Sequence, residues 1–482
     1  MIRWRARRAA LAALISFSAA ARSQAPRKPL ESITHHAARI DGHDVRYTAT
    51  VAEYFVKDTT GKLLGSVVTT AYTRDDVADR ATRPVMFLFN GGPGASSSPL
   101  HLSAFGPVRR SGDSLVNNPN SPLDVVDLVF IDPVGTGFSR LFPGVTKHPF
   151  WSRSGDAASV RSVIEGWVKQ NRRDRSPKYL CGESYGTTRA ALILDKPGAL
   201  RFDGVLLFAI VGSAGGREMP YVVTLPTFAT TAWFYEKVPR NGRTVEQVFN
   251  DATEFARTEY VTALIRGGSL SAGERHRVAQ KMSSLIGLSP ELIEAKNLRV
   301  SKDTFMLNLL KDRGVRTGQL DARATARLDA PKRRPPYDDP GMNYDPEAPA
   351  GGASPALPQA SAAGSPVDSY FKRNLAFHTT ETYDALNLDV NAAWNYEGMS
   401  DVNPLIGDAM RRNPSMRLLW AGGYFDITTP LYGARYALDE AGIPGDRITS
   451  LAFPSGHSVF MDAANRAVLS AAVRRFVTGA AR

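Results

Sequence analysis

The stretch KYLCGESYG, Lys178 to Gly186, runs from a short apolar segment straight into a serine with a glycine two residues to either side. Such a segment, short, bounded and continuously apolar at its end, reads as a buried strand rather than an amphipathic helix. The Gly182-x-Ser184-x-Gly186 spacing after it is that of a nucleophile elbow, a sharp strand-to-helix turn that lifts a hydroxyl to the edge of a sheet. The glycines let the backbone close that turn. Because G-x-S-x-G is a short motif, its partners elsewhere in the chain have to decide whether it carries chemistry.

Working outward, the same strand signature recurs in RPVMFLFNGGPG, in VVDLVFIDPVGTG and in GVLLFAIVG, and helical spacing fills Asp156 to Gln170 between two of them. Strands alternating with helices predict an α/β fold with a doubly wound, mostly parallel sheet, the α/β-hydrolase arrangement. Alternating Val, Tyr, Thr and Phe from Asp44 to Thr70, broken at Asp58–Gly61, predict an N-terminal β-hairpin region. Residues from about Arg217 to Arg327 read mainly as helices, with Gly287-Leu-Ser-Pro290 starting one of them. A Pro-, Ala- and Gly-rich segment follows at 331–368, helical pattern resumes at Tyr370, strand patterns return at MRLLWAGGYFD and ITSLAFPSGH, and a terminal helix starts near Asp462. The expected organisation is a first half of the core at 26–212, a helical insertion acting as a lid at 213–375, and a second half at 376–482.

In this fold the acid and the histidine follow the serine in that order. Among the eight histidines only His457, in FPSGHS, lies beyond the last long strand pattern, and Asp426 follows the strand before it. His457 is placed to take the Ser184 proton as general base, with Asp426 fixing its tautomer and steadying the imidazolium. The glycine-rich run Asn90 to Ser98 follows another core strand. Acyl transfer needs backbone N–H donors at the developing oxyanion, and Gly92 and Tyr185 are assigned to it. As a phosphate loop the run fails, for want of the Gly-Lys-Ser/Thr ending.

The first 25 residues have an arginine-rich start, an apolar run from Ala9 to about Ala21 and a small-residue Ser23-Gln-Ala25 end, which reads as a secretory signal peptide. That run is shorter than the ~18 residues a spanning helix needs, so no stable membrane anchor is expected. The expected destination is periplasmic or extracellular. Removing five arginines and no acid with the leader takes the formal charge from +12 to +7, mild for this length and no argument for a nucleic-acid partner. Cys181 is the one cysteine, so no internal disulfide can form, and at the end of a buried strand it reads as a packed thiol.

Together NGGPGASSS, IDPVGTGFS, GESYG, the late Asp426 and the Gly456-His457 pair resemble the serine carboxypeptidase family, over roughly Arg83 to Ala209 and Met416 to His457. The resemblance implies a divergent, disulfide-free bacterial-type branch. It implies Ser184, Asp426 and His457 as the triad, Gly92 and Tyr185 as the oxyanion hole, and Asn90 with Glu183 as the pair that holds the substrate's terminal carboxylate. To donate to a carboxylate, Glu183 must be protonated, so its pKa should be raised. Where the family usually carries a second acid before Gly106-Pro107, this chain has Ala104.

The expected activity is therefore a serine-type carboxypeptidase working on peptides with a free C-terminus through an acyl-enzyme on Ser184, with no metal and no cofactor. An esterase or acyltransferase on the same triad is the nearest alternative, and a non-catalytic secreted binding protein the alternative of another class. Trp233, Phe234 and Tyr235 are readable as pocket lining or as helix packing. His35-His36 lacks companions at metal-ligand spacing. Asp338, Asp339 and Asp345 lack the alternation of a calcium loop and read as solvated acids.

Overall fold

The computed structural model describes residues 27–112, 114–147, 149–212, 215–330, 338–344, 346, 365–398 and 401–479. The leader and most of the Pro-rich segment lie outside them. In chain order, strands β1 (Glu31–Ile40), β2 (His43–Lys57), β3 (Leu63–Arg74) and β4 (Val85–Phe89) are followed by a small hairpin, β5 (Val108–Ser111) with β6 (Ser114–Asn117), and by β7 (Asp127–Asp132). Then come α1 (Arg153–Gln170), β8 (Lys178–Glu183), α2 (Tyr185–Asp195) and β9 (Gly204–Phe208). The next stretch holds six helices, α3 (Met219–Phe234), α4 (Val245–Phe255), α5 (Val261–Arg266), α6 (Ala272–Ile286), α7 (Pro290–Ala295) and α8 (Lys302–Asn308), and a second hairpin, β10 (Val315–Thr317) with β11 (Thr325–Arg327). Short α9 (Pro366–Ser369) and α10 (Leu388–Ala392) precede α11 (Asn403–Arg412), β12 (Arg417–Gly423), α12 (Leu431–Glu440), β13 (Ile448–Phe453) and α13 (Ala463–Thr478).

Nine strands form one sheet in the order β1-β2-β3-β7-β4-β8-β9-β12-β13. From β7 to β13 every neighbouring pair is parallel, while β1, β2, β3 and β7 pair antiparallel. Strands β4 and β9 carry no polar side chain because both faces of the sheet are covered there. Phe87 and Phe89 of β4 point into one core and Met86 and Leu88 into the other. Val205 and Leu207 of β9 divide from Leu206 and Phe208 in the same way. A strand buried on both sides has no polar face to alternate, which is why these segments read as continuous runs.

Two details differ from the sequence reading. The N-terminal region is a three-stranded meander, because Glu31–Ile40 pairs with β2 along its whole length. It sits at the sheet edge with alternate residues exposed, so it lacks the Val, Ile and aromatic enrichment that marks a strand. Helix does resume at Tyr370, but only as one wide turn that ends at Asn374, and no further helix forms before α10. The chain there is instead held extended against neighbouring loops, through Gly137 paired with Asp384 and Ala95 with Leu386.

Since the central strands run parallel, their C-terminal ends lie along one edge. Asn90 follows β4, Asp132 ends β7, Glu183 ends β8, and Asp426 and His457 follow β12 and β13. Loops at this edge are where open α/β sheets place their ligands.

Candidate active site

Ser184 stands between β8 and α2 with φ 58° and ψ −129°, a left-hand conformation that side chains other than glycine avoid. Such strain costs about 1–3 kcal/mol and persists only where the surroundings impose it. They do so here. A Cβ on Gly182 would lie 2.3 Å from the Gly186 carbonyl oxygen, and one on Gly186 would lie 2.7 Å from that of Phe89. The Ser184 amide donates to Phe208 O at 2.9 Å, and the Ser184 carbonyl accepts from Thr187 N and Thr187 Oγ1 at 2.8 and 2.7 Å.

The glycine loop folds against this turn. A Cβ on Gly91 would come within 2.3 Å of Tyr185 N, so only glycine lets the loop pass the start of α2. No carbonyl among the described residues accepts a hydrogen bond from the Gly92 or Tyr185 amide. Asp132, an acid the sequence reading gave no role, holds the far end of the loop by accepting from Ser97 N and Oγ at 2.7 and 2.6 Å. Asn387 N donates to Gly94 O at 2.8 Å and Asn391 Nδ2 to Pro93 O at 3.1 Å, so the segment after Asp384 braces its middle.

His457 Nδ1 donates to Asp426 Oδ2 at 2.8 Å. Asp426 is fully buried, and its two oxygens also accept from the Thr429 hydroxyl and, at 2.9 Å, from Thr429 N. Thr429 was not singled out in the sequence, since a threonine three residues after an acid carries no signature of its own. Burial alone would keep the His457 ring neutral. The charge and hydrogen bond of Asp426, with Glu183 and Asp339 beyond, outweigh that and hold its pKa above the ordinary value.

Glu183 is 2% exposed, and each of its oxygens has a donor. Asn90 Nδ2 donates to Oε2, and the Ser458 hydroxyl donates to Oε1 at 2.7 Å. The Asn90 amide is oriented by its other end, where Oδ1 accepts from Leu100 N at 3.1 Å. Burial pushes the Glu183 carboxyl above its usual range, against the opposing pull of the His457 charge and these two hydrogen bonds. Under the loop, Arg189 donates to Asp156 Oδ2 at 2.7 Å and to Asn90 O at 2.5 Å, with Phe89 and Tyr185 flanking its guanidinium.

The site residues read from the sequence thus fall into two linked sets. Asp426 pairs with His457, and Asn90 with Glu183, while Ser458 joins the sets by bridging from beside His457 to the residue before Ser184. The Ser184 hydroxyl makes no hydrogen bond to His457 among the described residues. Catalytic hydrogen bonds often tighten only when substrate is seated.

Cys181 is fully buried, and burial raises its thiol pKa well above the ordinary value. Phe234 packs edge to face against Phe425 and so joins the insertion to the core, while the Tyr235 hydroxyl donates to Arg323 O at 2.6 Å within the insertion. Asp339 is not a solvated acid. It is mostly buried and accepts from Gln319 N, Leu320 N and Gly341 N at 2.9, 2.8 and 2.9 Å. Asp345 lies outside the described residues. No group of three or more His, Cys, Asp or Glu among them is arranged to hold a metal ion, and no helix among them is long and apolar enough to cross a membrane.

A sequence model of the serine carboxypeptidase family matches residues 72–194, from β3 through the elbow helix. The pheromone-processing carboxypeptidase KEX1 of Verticillium alfalfae is 52% identical over 58 residues, 12% of this chain and 9% of that protein. Serine carboxypeptidase-like 36 of Arabidopsis thaliana is 32% identical over 116 residues, 22% of each. These alignments therefore take in less than a quarter of either relative. Among solved structures, the prohormone-processing carboxypeptidase KEX1(delta)p of Saccharomyces cerevisiae superposes with a TM-score of 0.56 at 15% identity, covering 89% of this chain and 91% of that one. At that identity the likeness bears on the α/β-hydrolase fold.

Proposed function

We propose that this chain is an exported serine-type carboxypeptidase acting on peptides with a free C-terminus, a reading supported by the match of residues 72–194 to the serine carboxypeptidase family. The observation that carries the reading is the placement of Glu183. This buried acid next to the nucleophile position shares its oxygens between the Asn90 amide and the Ser458 hydroxyl, one residue from the His457–Asp426 pair. A buried carboxyl whose pKa is raised, beside the nucleophile position, is suited to hold the free carboxyl end of a peptide.

In this mechanism the terminal carboxylate of the peptide binds to protonated Glu183 and the Asn90 amide, which seats the last peptide bond over Ser184. Ser184 Oγ attacks the carbonyl carbon as its proton passes to His457 Nε2, and Asp426 steadies the imidazolium through Nδ1. The Gly92 and Tyr185 N–H groups take the charge that develops on the carbonyl oxygen. Collapse breaks the C–N bond, the departing amine takes the proton from His457, and an acyl-enzyme remains on Ser184. Water, deprotonated by the same imidazole, then releases the shortened peptide. The hydrogen bond between Ser184 and His457 forms when the substrate is seated.

Incubation with a serine-directed phosphonate, followed by peptide mapping, tests the assignment. The expected result is a single adduct on Ser184 and loss of activity in Ser184→Ala. Full activity in that variant would contradict it.

A further inference from the structure

Both catalytic loops are fastened to a segment that the mechanism does not use, the loop Gly318–Ala324 between β10 and β11 in the insertion. On the acid side, Gln319 O accepts from Ile427 N and Thr428 N at 3.0 and 3.1 Å, and Ala322 N donates to Phe425 O at 2.9 Å. On the histidine side, His457 N donates to Leu320 O at 2.8 Å, Gly456 N to Asp321 Oδ2 at 3.1 Å, and Arg323 Nη1 to Pro454 O at 2.9 Å. Five consecutive residues, Gln319 to Arg323, thus bond the loops that follow β12 and β13, where Asp426 and His457 sit. The Gly456 backbone lies so close that a Cβ there would come within 2.6 Å of the Asp321 carboxylate.

Two carboxylates keep this loop in shape. Asp321 is buried and takes a two-pronged bond from Arg323, Nε to Oδ1 at 2.9 Å and Nη2 to Oδ2 at 2.7 Å. Asp339 accepts the amides of Gln319 and Leu320, the two residues whose carbonyls face the opposite way onto the acid loop and onto His457. The Gln319–Leu320 peptide is bonded on both sides, its carbonyl to the acid loop and its amide to Asp339, so turning it would break both. The groups facing His457 are Asp426 from its own loop pair, Glu183 from β8 and Asp339 from beyond the hairpin, and Lys302 of α8 faces Asp426 while donating to Thr428 O at 3.0 Å.

We propose that the Gly318–Ala324 loop is a clamp that sets the separation of the Asp426 and His457 loops, with Asp339 and Asp321 as positioning residues. The inference rests on the reading of Asp426 and His457 as the catalytic pair. It makes the helical insertion part of the catalytic geometry, not only a cover over it. Peptide atoms of one short loop bond to both partners, so a shift of this loop changes the Nδ1–Oδ2 distance directly. Misplacements of about 1 Å at a reacting group can lower rates ~100-fold.

The full chain with Asp339→Ala, Asp339→Asn and Asp321→Asn tests the clamp by three readouts: thermal unfolding, the split between kcat and KM on a blocked dipeptide with a free carboxyl end, and the far-downfield proton resonance of His457 Nδ1–H. That resonance is identified by its loss in His457→Ala. The expected result for folded Asp339→Ala is a fall in kcat of about 10- to 100-fold, KM within about twofold of the parent, and a displaced or broadened Nδ1–H resonance. Asp339→Asn, which keeps one acceptor oxygen, should recover part of both. An unmoved resonance overturns the proposal whether or not kcat falls, and so does a loss carried wholly by KM. If Asp339→Ala does not fold, Asp339→Asn and Asp321→Asn decide it by the same readouts. The resonance requires no peptide substrate, so a protein without carboxypeptidase activity would sink the functional reading and still leave the clamp decided.

Discussion

Ser458 donates its hydroxyl hydrogen to Oε1 of Glu183 across 2.7 Å, tying the residue after His457 to the residue before Ser184. This bond favours the charged form of Glu183, so it opposes the effect of burial. Ser458→Ala should raise the Glu183 pKa further. KM for a free-acid peptide rises as pH climbs through that pKa, because the carboxyl loses the proton it donates. In Ser458→Ala the rise should begin at higher pH, with kcat little changed. A KM profile identical to that of the parent would remove Ser458 from the account.

The opposite limb belongs to His457. A base must be neutral to accept a proton, and the charges around it hold its pKa above the ordinary 6.5. Activity under kcat/KM conditions should therefore fall as pH drops through a value above 6.5, leaving a bell whose acidic side is that of the imidazole. Full activity well below that value would show that the imidazole is not the base.

Gly91 passes Tyr185 N at a distance no side chain tolerates. Gly91→Ala must push the glycine loop away from the start of α2 and take the Gly92 amide with it. Loss of one oxyanion donor lowers kcat by about 100- to 1000-fold, and that is the expected effect here. Binding of a substrate analogue with a free carboxyl, measured by calorimetry, should weaken far less.

Arg189 and Asp156 form an ion pair with almost no exposure on either side chain, and the same guanidinium holds the Asn90 carbonyl. Removing one partner leaves an uncompensated buried charge, so Asp156→Ala should destabilise the protein by about 3–5 kcal/mol, read from denaturant midpoints. Replacing a surface pair such as Arg327 with Asp329 should change stability by less than about 1 kcal/mol.

His101 is a second, acid-sensitive element of the core. Its ring stacks on Phe130, meets the Tyr72 hydroxyl at 2.6 Å, and is held by burial to a pKa of about 3. In the unfolded chain a histidine titrates near 6.5, so its contribution is fully present above that value and is lost as pH falls from there toward about 3. Between pH 6.5 and pH 5 the loss should reach about 2 kcal/mol, at 1.36 kcal/mol per unit. His101→Phe should flatten that part of the stability profile, while an unchanged slope would exclude His101 as its source.

The sheet edge that gathers Asn90, Glu183, Asp426 and His457 was legible in the sequence because each of its parts carries a local signature. Apolar runs ending in glycine mark the strands, the elbow has fixed spacing, and the order of acid and histidine follows from the strand order. The clamp had no such signature. Asp321 and Asp339 act through backbone amides far away in the chain, and an isolated acid next to proline and glycine looks the same whether solvated or buried. β1 escaped for a related reason, since an edge strand facing water keeps Glu31, His35 and Arg39 where a central strand would carry valine or isoleucine. Asp132 and Arg189 looked like ordinary strand-end and helix residues, and only the third dimension shows that one holds each end of the glycine loop.

Recognition of the substrate's free end is tested most directly by kcat/KM for one blocked dipeptide measured as the acid and as its amide, below the pH at which Glu183 loses its proton. The account predicts a preference for the acid of about 10- to 150-fold, the equivalent of a charge-assisted hydrogen bond worth about 1.5–3 kcal/mol, and predicts that Glu183→Ala erases most of it. Equal rates on the two substrates, with Ser184 still labelled by the phosphonate, would contradict it and leave an esterase or acyltransferase on the same serine.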